Sequence, residues 1–299
     1  MASLFYKETP IQEIKNDLLG RARVRLLIKR EDINHSFVSG NKWWKLKYNL
    51  EEAIRLKHDT LLTFGGAYSN HIFATAAAAH ELGLKSIGII RGEESLPHNR
   101  TLAFAYEKGM RLHYVSREDY RHKAEHDFIQ NLSTRFGDFY LLPEGGTNAL
   151  AVKGCEEFAK KIFTEIEFDY LCLPVGTGGT MAGIVAGLGG EKEVIGFSVL
   201  KGGAFLRDEI TRLLKHESIE TFKNWKINTN FHFGGYGKRT SVLKDFILTQ
   251  WQTHELPLDP VYTSKMMYGV YENIKKGIFR RGSTILVLHT GGLQGRIFF

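Results

Sequence analysis

Lys42 stands in a segment of unusual composition, SGNKWWKLKYN at residues 39 to 49, which follows KRED at residues 29 to 32. A lysine amine forms a Schiff base with a carbonyl compound most readily when burial lowers its pKa, and Trp43 and Trp44 are suited to exclude water there. The ordinary alternative is a solvated lysine on an amphipathic helix, the usual role of any single lysine. Lys42 is therefore a candidate nucleophile whose role depends on its neighbours.

A phosphate-binding turn is predicted at GTGGT, residues 176 to 180. An apolar strand leads into Gly176, and Gly178 and Gly179 let backbone N–H groups approach an anion before a helix begins at Thr180. The third glycine of a dinucleotide-binding fingerprint is missing, as is the GK[ST] of a P-loop. A plain glycine turn between strand and helix is the alternative.

A second strand-turn-helix pattern occurs at GGAYSNH, residues 65 to 71. It puts Ser69 and Asn70 at a helix start, where free N–H groups favour an anion such as a substrate carboxylate. Either residue alone is an ordinary helix cap. Taken with Lys42 and the glycine turn, the Ser-Asn pair predicts one site for pyridoxal phosphate, because a Schiff-base amine, a phosphate cup and a proton carrier meet there.

Two further segments place polar groups where strands end or helices begin. LDPVYTSKMM at residues 258 to 267 offers Tyr262, and STILVLHTGGLQG at residues 283 to 295 offers Thr290. Ligands collect at the carboxyl ends of strands in doubly wound sheets, so both residues are candidates for the site. A core tyrosine and a C-terminal turn are the alternatives.

One motif points to a different chemistry. HKAEH at residues 122 to 126 has the spacing of a zinc peptidase motif and would put His122 and His126 on one helix face. Charged neighbours on both sides and the lack of a second ligand helix favour a solvated surface. The sequence therefore predicts no metal site.

The elements that must position these residues alternate between apolar runs and helical patterns, which predicts βαβ units and an α/β fold with parallel sheets. The predicted strands cover residues 24–29, 60–64, 86–90, 111–115, 139–142, 169–174, 194–199 and 283–289. The predicted helices cover residues 43–57, 70–82, 98–108, 118–136, 148–163, 180–188, 203–216, 240–252 and 263–276.

The turn-rich segment PEGGTN at residues 143 to 148 is the best domain boundary. We expect a smaller domain at residues 44–150, inserted into a larger, cofactor-binding domain formed by residues 1–43 and 151–299. Thr147 or Asn148 would cap the helix that follows. A ligand between the two domains fits this layout.

The amino-acid composition indicates the class of protein, its location and the kind of ligand. With 299 residues and 43% hydrophobic content the chain can bury ample cores, and it has no long apolar run or secretion signal, so a soluble cytoplasmic protein is expected. Cys155 and Cys172 are expected to be free core thiols. The net charge of +7 is spread along the chain, which argues against nucleic acid and for small anionic ligands.

The segments KRED, GNKWWKLKYN, GGAYSNH, PEGGTN, GTGGT, FGGYGKRTS, LDPVYTSK and LHTGG occur in this order from about residue 8 to 295. In this order they resemble the 1-aminocyclopropane-1-carboxylate deaminase and D-cysteine desulfhydrase family. The resemblance implies a fold type II, tryptophan synthase β-like enzyme with two open, mostly parallel sheets flanked by helices. It also implies a homodimer.

The resemblance assigns roles residue by residue. Lys42 would be the Schiff-base lysine, Ser69 a base or proton carrier, and Tyr262 and Tyr236 the active-site tyrosines. Contacts to the cofactor would come from Lys42, Lys45, Asn70, Thr177, Gly178, Gly179, Thr180, Tyr262 and Thr290. Contacts to the amino-acid substrate would come from Ser69, Asn70 and His71.

Two positions separate the branches of the family. Deaminases carry glutamate after the tyrosine that matches Tyr262 and leucine before the C-terminal glycine pair, whereas this chain has Thr263 and Thr290. Because a hydroxyl at the pyridine nitrogen makes a weaker electron sink than a carboxylate, we expect α,β-elimination on a small D-amino acid such as D-cysteine. Ring-opening deamination of 1-aminocyclopropane-1-carboxylate and a non-catalytic pyridoxal phosphate-binding protein are the alternatives.

Overall fold

The computed structural model describes residues 4–216 and 222–295. Within these ranges the chain forms ten strands and ten helices. The strands are β1 Ile11–Ile14, β2 Arg25–Lys29, β3 Thr60–Gly65, β4 Lys85–Arg91, β5 Met110–Val115, β6 Tyr140–Leu142, β7 Tyr170–Val175, β8 Glu193–Ser198, β9 Trp225–Asn228 and β10 Thr284–Leu288. The helices are α1 Asp17–Ala22, α2 Asn41–Arg55, α3 Asn70–Glu81, α4 Arg100–Glu107, α5 His126–Phe136, α6 Ala149–Glu165, α7 Gly179–Leu188, α8 Leu206–His216, α9 Ser241–His254 and α10 Thr263–Lys275.

The strands build two sheets, which confirms the predicted fold class. A six-stranded sheet has the order β1-β2-β10-β7-β8-β9, and a four-stranded sheet has the order β5-β4-β3-β6. Strand β1 pairs antiparallel with β2, and the other strand pairs of the described chain are parallel. Helices flank both sheets, so their apolar strands are buried on both faces.

Helices α2, α6 and α7 pack closely and thereby fix the two helix starts nearest the site. Trp44 of α2 stacks on Phe158 of α6 with ring centroids 4.8 Å apart. Gly154 of α6 lies against the Trp44 carbonyl, and Gly183 of α7 lies against Cys155, so that neither glycine has room for a Cβ. The missing side chains let the helix backbones approach each other.

The predicted domain boundary can be compared with the sheets. The four-stranded sheet takes its strands from residues 60–142, and the six-stranded sheet takes its strands from the chain on either side. Helix α2 is continuous through the predicted boundary at residue 43. The division into two domains stays a prediction.

Three short elements, β1, α1 and β9, are absent from the strands and helices that the sequence pattern predicts. Strands β1 and β9 have four residues each and α1 has six, too few for an apolar pattern to emerge. The predicted helix at 118–136 is wrong in its first turn, because a 3₁₀ turn at Asp119–His122 precedes α5. No helix of the described residues is long and apolar enough to cross a membrane.

Candidate active site

A cavity of about 550 Å³ opens beside the first turns of α2, α3 and α7. The residues that sequence analysis singled out lie at distant positions of the chain, yet most of them line this one cavity. They are Lys42, Lys45, Ser69, Asn70, His71, Thr177, Gly178, Thr180, Tyr236, Tyr262 and Thr290. Gly179 is buried directly behind the lining.

Lys42 is the second residue of α2, and its partly buried side chain faces the cavity. Its Nζ donates to Asn41 Oδ1 at 3.2 Å. Burial lowers the pKa of the Lys42 amine to about 8, against the opposing influence of Cys155 and Asp259. A lysine with this pKa has a far larger neutral, nucleophilic fraction near neutral pH than a solvated lysine has.

The two tryptophans after Lys42 have a different role from the expected one. Trp43 donates from Nε1 to the Phe5 carbonyl at 3.0 Å, and Trp44 donates to Glu31 Oε2 at 2.7 Å. Neither ring lines the cavity. They anchor α2 to the core and so position Lys42 without covering it.

Lys45 follows one turn later and is 1% exposed. Its Nζ donates to the Gly145 carbonyl at 2.5 Å and to Thr147 Oγ1 at 2.8 Å. Burial, followed by repulsion from Lys42, lowers the pKa of Lys45 to about 7. Among the described residues neither lysine forms an ion pair with a carboxylate, so an anion at this place would stabilise the charged form of both.

The turn that starts α7 completes an anion site, here called the phosphate cradle: residues 176–180 together with Lys45 and Thr147. Gly178 is the N-cap of α7 with φ of 85°, a conformation that favours glycine. A Cβ on Gly179 would lie 2.8 Å from Thr147 Cγ2 and 3.2 Å from Lys45 Nζ. The bare backbone of Gly179 therefore lets Thr147 and Lys45 pack closely against the N-terminus of the helix.

Hydroxyl groups tie the phosphate cradle together. Thr147 Oγ1 lies 2.7 Å from Thr177 Oγ1, and Asn41 Nδ2 donates to Thr180 Oγ1 at 2.8 Å. The two glycines of the turn differ in purpose, since a Cβ on Gly178 would lie 3.0 Å from Ile210 Cγ1. Gly178 is thus required by backbone conformation and helix packing, and Gly179 by the space beside Lys45.

Helix α3 presents its first turn to the same cavity. Ser69 is the N-cap, and its Oγ accepts from the backbone N–H groups of His71 and Ile72 at 3.2 and 3.3 Å. The capping role and a place in the site therefore coexist, because the Ser69 hydroxyl still has its own proton to donate. Asn70 Oδ1 accepts from Gln294 Nε2 at 2.5 Å, which orients the Asn70 amide N–H groups toward the side that carries Gly292.

The His71 ring turns into the four-stranded sheet. Thr63 Oγ1 donates its proton to the Leu142 carbonyl at 2.9 Å, so at 2.8 Å it accepts from His71 Nε2. Burial, with Lys42 and Lys45 nearby, lowers the pKa of His71 well below its usual value. His71 is a neutral imidazole whose Nδ1 has no hydrogen-bond partner among the described residues.

Another part of the cavity lining is formed by Tyr236, Tyr262 and Thr290, here called the ring-side wall because the resemblance implies that the cofactor ring would lie there. The two tyrosine rings meet edge to face with centroids 5.8 Å apart. Tyr262 also covers the phosphate cradle, since a Cβ on Gly176 would lie 3.2 Å from its Cε1. Burial raises the pKa of both phenols, and that of Tyr262 most, so both remain donors at neutral pH.

A buried carboxylate stands behind the ring-side wall. Asp259 is 1% exposed and accepts from the backbone N–H groups of Val261, Tyr262 and Thr263 at 2.7 to 2.8 Å. The Thr263 hydroxyl donates to Asp259 Oδ1 at 2.7 Å and accepts from the Asp259 N–H at 2.9 Å. Thr263 is fully buried and does not line the cavity, whereas Thr290 does.

Several residues of the site carry no signal in the sequence. Arg91, Lys123 and Glu144 line the cavity from the side of the four-stranded sheet. Lys265, fully buried in α10, donates to the carbonyls of His232 and Gly235 at 2.9 and 2.7 Å and so holds the turn that carries Tyr236. Its position one turn after Tyr262 is a signal that could have identified it.

The predicted zinc-like motif forms no cluster. His122 ends a 3₁₀ turn, where its Nδ1 lies 2.7 Å from Glu125 Oε1, and His126 begins α5. Both histidines are exposed. In the described part of the chain, no group of three or more histidine, cysteine or acidic residues is arranged to hold a metal ion.

The residues of the cavity fit pyridoxal phosphate. The phosphate cradle offers backbone and hydroxyl donors beside a buried lysine that has no carboxylate partner among the described residues, and Lys42 places an amine of lowered pKa close by. Residues 2–291 match the family described as pyridoxal-phosphate dependent enzyme. The chain belongs to this family. It is a pyridoxal phosphate-dependent lyase or deaminase of fold type II.

Three similar proteins are named as members of one branch of this family. A putative 1-aminocyclopropane-1-carboxylate deaminase of Pyrococcus furiosus is 31% identical over 98% of this chain and 92% of its own length. The bifunctional, mitochondrial D-cysteine desulfhydrase/1-aminocyclopropane-1-carboxylate deaminase of Arabidopsis thaliana is 32% identical over 90% of this chain and 73% of its own. A crystal structure of an ACC deaminase homologue, 29% identical, superposes with a TM-score of 0.85 over 98% of this chain and 91% of that one.

Proposed function

We propose that this enzyme eliminates the β-substituent of a small D-amino acid such as D-cysteine, releasing pyruvate, ammonia and sulfide. The observation that carries the proposal is that no carboxylate of the described residues lies free at the ring-side wall. Thr290 lines the cavity there, and the nearby Asp259 is enclosed by the N–H groups of Val261, Tyr262 and Thr263 and by the Thr263 hydroxyl.

The acidic side chains that do line the cavity are engaged elsewhere. Glu144 accepts from the Tyr120 hydroxyl at 2.9 Å and lies 3.3 Å from Lys123 Nζ. Glu209 lies 2.7 Å from Arg212. A pyridine nitrogen that meets a hydroxyl is held in its protonated form less strongly than one that meets a carboxylate, and the electron sink is weaker. Such a sink suffices for expelling thiolate, a better leaving group than the carbon of a cyclopropane.

The bound cofactor supplies the electron sink beside the substrate α-carbon. Lys42 supplies the amine that holds the cofactor covalently and, once released, a base of suitable pKa for the α-proton. Ser69 is the alternative proton carrier, because two N–H groups at a helix start stabilise negative charge on its Oγ. The N–H groups of the α3 start also suit the substrate carboxylate.

The tyrosine pair suits the departing group. Tyr236 and Tyr262 stay protonated at neutral pH and present phenol donors to the cavity. Lys265 fixes the turn of Tyr236, and Asp259 fixes the backbone of Tyr262. A donor held in this way can stabilise a thiolate as it leaves, without having to be ordered during the reaction.

Ring opening of 1-aminocyclopropane-1-carboxylate is the second candidate. The Arabidopsis thaliana relative is named for both reactions, and the Pyrococcus furiosus relative is named a putative deaminase. Both reactions start from a small amino acid at the same cofactor. The substrate comparison below therefore decides between them.

The test compares kcat/KM of the holoenzyme for D-cysteine, L-cysteine, β-chloro-D-alanine and 1-aminocyclopropane-1-carboxylate, with ketoacid release as readout. We expect D-cysteine to be preferred and Lys42→Ala to be inactive. Thr290→Ser keeps the hydroxyl and should keep most of the elimination rate. Thr290→Val keeps the shape but removes a hydrogen bond worth about 1 kcal/mol, so its rate should fall roughly fivefold. A wild-type preference for the cyclopropane substrate would overturn the proposal.

A homodimer and a cytoplasmic location remain predictions. The first rests on the resemblance to a family of dimers and is measured by light scattering of the purified holoenzyme. A mass of one chain would contradict it.

A further inference from the structure

Three segments that sequence analysis noticed for different reasons meet at one buried histidine. His289, 1% exposed, is the residue before Thr290. Its Nε2 donates to the Pro257 carbonyl at 2.5 Å, in the segment that leads to Tyr262. Its Nδ1 lies 3.5 Å from Asp32 Oδ1, in the KRED segment, to which the proposed chemistry gives no role.

Asp32 is held in turn by Arg30. The Arg30 guanidinium donates from Nε and Nη2 to the two carboxylate oxygens at 2.8 Å each. Burial would raise the pKa of Asp32, but His289 and Arg30 outweigh it and keep this pKa below its usual value. The carboxylate is therefore charged although its side chain is inaccessible to solvent. A buried carboxylate that accepts two hydrogen bonds from one guanidinium is held in a defined orientation. Asp32 can therefore fix the position of the His289 ring.

His289 itself does not line the cavity, but Thr290 and Tyr262, which follow the two segments that it contacts, both do. On one side the backbone nitrogen of Gly291 lies 3.4 Å from His289 Nδ1, so the turn around Thr290 packs against the imidazole. The Thr290 carbonyl also lies against Gly40, where no Cβ would fit. On the other side Pro257 precedes Asp259, whose carboxylate holds the Tyr262 N–H at 2.8 Å.

We propose that His289, held by Asp32 and Arg30, is a positioning residue that fixes Thr290 relative to Tyr262 across the ring-side wall. Nδ1 of the imidazole contacts the segment that carries Thr290, and Nε2 contacts the segment that leads to Tyr262. Because the imidazole ring is rigid, it fixes the distance between these two segments. The proposal rests on the proposed function only where turnover of D-cysteine is the readout. Cofactor affinity and the absorption spectrum of the bound cofactor test it independently.

The two contacts of His289 can be removed one at a time. His289→Gln carries a donor near the place of Nε2 and loses the link to Asp32 and Gly291. His289→Asn carries a polar group near the place of Nδ1 and loses the link to Pro257. Asp32→Asn keeps the shape of the carboxylate and removes its charge. His126→Gln and Asp127→Asn, both exposed in α5, are the matched controls.

The measurements are the pyridoxal phosphate Kd by titration of the apoprotein, the absorption spectrum of the holoenzyme, kcat and KM for D-cysteine, and Tm. Each His289 variant should lower kcat by up to about 100-fold with little change in KM, because a displaced group mainly affects the reacting geometry. The spectrum should shift and the Kd should rise severalfold. Controls should match wild type.

Folded His289 variants with wild-type kcat, spectrum and Kd would overturn the inference, as would losses fully accounted for by a smaller folded fraction. Should the His289 variants fail to fold, Arg30→Gln decides. Arg30 is partly exposed, so its loss weakens the hold on Asp32 without leaving a buried cavity. It should show the same spectral shift to a smaller degree, and an unchanged spectrum contradicts the proposal. If wild type turns over none of the substrates, the proposed function fails, while Kd and spectrum still decide the role of His289.

Discussion

The phosphate cradle and the ring-side wall line one cavity and differ in their electrostatics. The cradle brings the buried amine of Lys45 to the cavity beside Lys42, and neither lysine has a carboxylate partner in the described chain. The ring-side wall keeps negative charge behind its surface, since Asp259 and Asp32 are buried and enclosed. The cradle therefore favours an anion, whereas the ring-side wall offers no free carboxylate among the described residues.

We expect the cradle to determine cofactor affinity and the ring-side wall to determine which reaction is catalysed. In the proposed function, donors in the cradle would hold a phosphate that does not react, so they would contribute affinity. Groups in the wall would lie near the cofactor ring, where charge develops during the reaction, so their chemistry would select among reactions. Changes in the two regions should therefore have different signatures.

The largest effect is expected in the cradle. Gly179→Val would place side-chain atoms where Thr147 and Lys45 already leave little room. An overpacking cost of about 3 kcal/mol corresponds to roughly 100-fold weaker cofactor binding, with the fold retained. Titration of the apoprotein with pyridoxal phosphate measures it. Gly20→Val in α1, where a Cβ has open space, is the matched control, and equal affinities for the two variants would remove Gly179 from the cradle.

Loss of the Thr263 hydroxyl should affect stability and leave binding intact, because Asp259 still accepts from the backbone N–H groups that hold Tyr262 in place. Thr263→Val removes the hydroxyl that donates to Asp259 and accepts from its N–H, leaving buried groups unsatisfied at a cost of about 1–3 kcal/mol. Denaturant unfolding should show this loss while the cofactor Kd stays at its wild-type value. Thr249→Val, on the exposed face of α9, should change neither. A large rise in Kd for Thr263→Val would mean that the two regions are not separable.

The smallest effect is a pH dependence of anion binding in the cradle. The pKa of Lys45 is lowered to about 7, so its charge is present below that pH and is lost as the pH rises through it. Sulfate, a dianion throughout, should bind the apoprotein roughly fivefold more weakly at about pH 9 than at about pH 6, because a charged donor is worth about 1 kcal/mol more than a neutral one. Calorimetric titration measures this. Lys45→Met should flatten the dependence and Lys244→Met should not, whereas a flat wild-type profile contradicts the assignment.

The cradle was predictable because its parts are local. A strand, glycines and a helix start lie within a few residues around Gly178, and each has a backbone reason that the sequence displays. Lys42 and Ser69 were found in the same way, since a helix start can be recognised from its neighbours. The fold class followed from the alternation of strands and helices over the whole chain.

The ring-side wall was decided by tertiary structure. Nothing adjacent in sequence shows that Thr263 faces Asp259 and leaves the cavity to Thr290, or that Trp43 and Trp44 point into the core. Periodicity gives the face of a helix but not the direction of one side chain at its start, where capping contacts compete. Likewise, Asp32 comes close to His289 because each follows one of two strands, β2 and β10, that lie side by side in the sheet. The sequence by itself therefore determined the fold and the end that binds phosphate, which depend on backbone and spacing, whereas packing between distant segments decided which polar groups reach the ring.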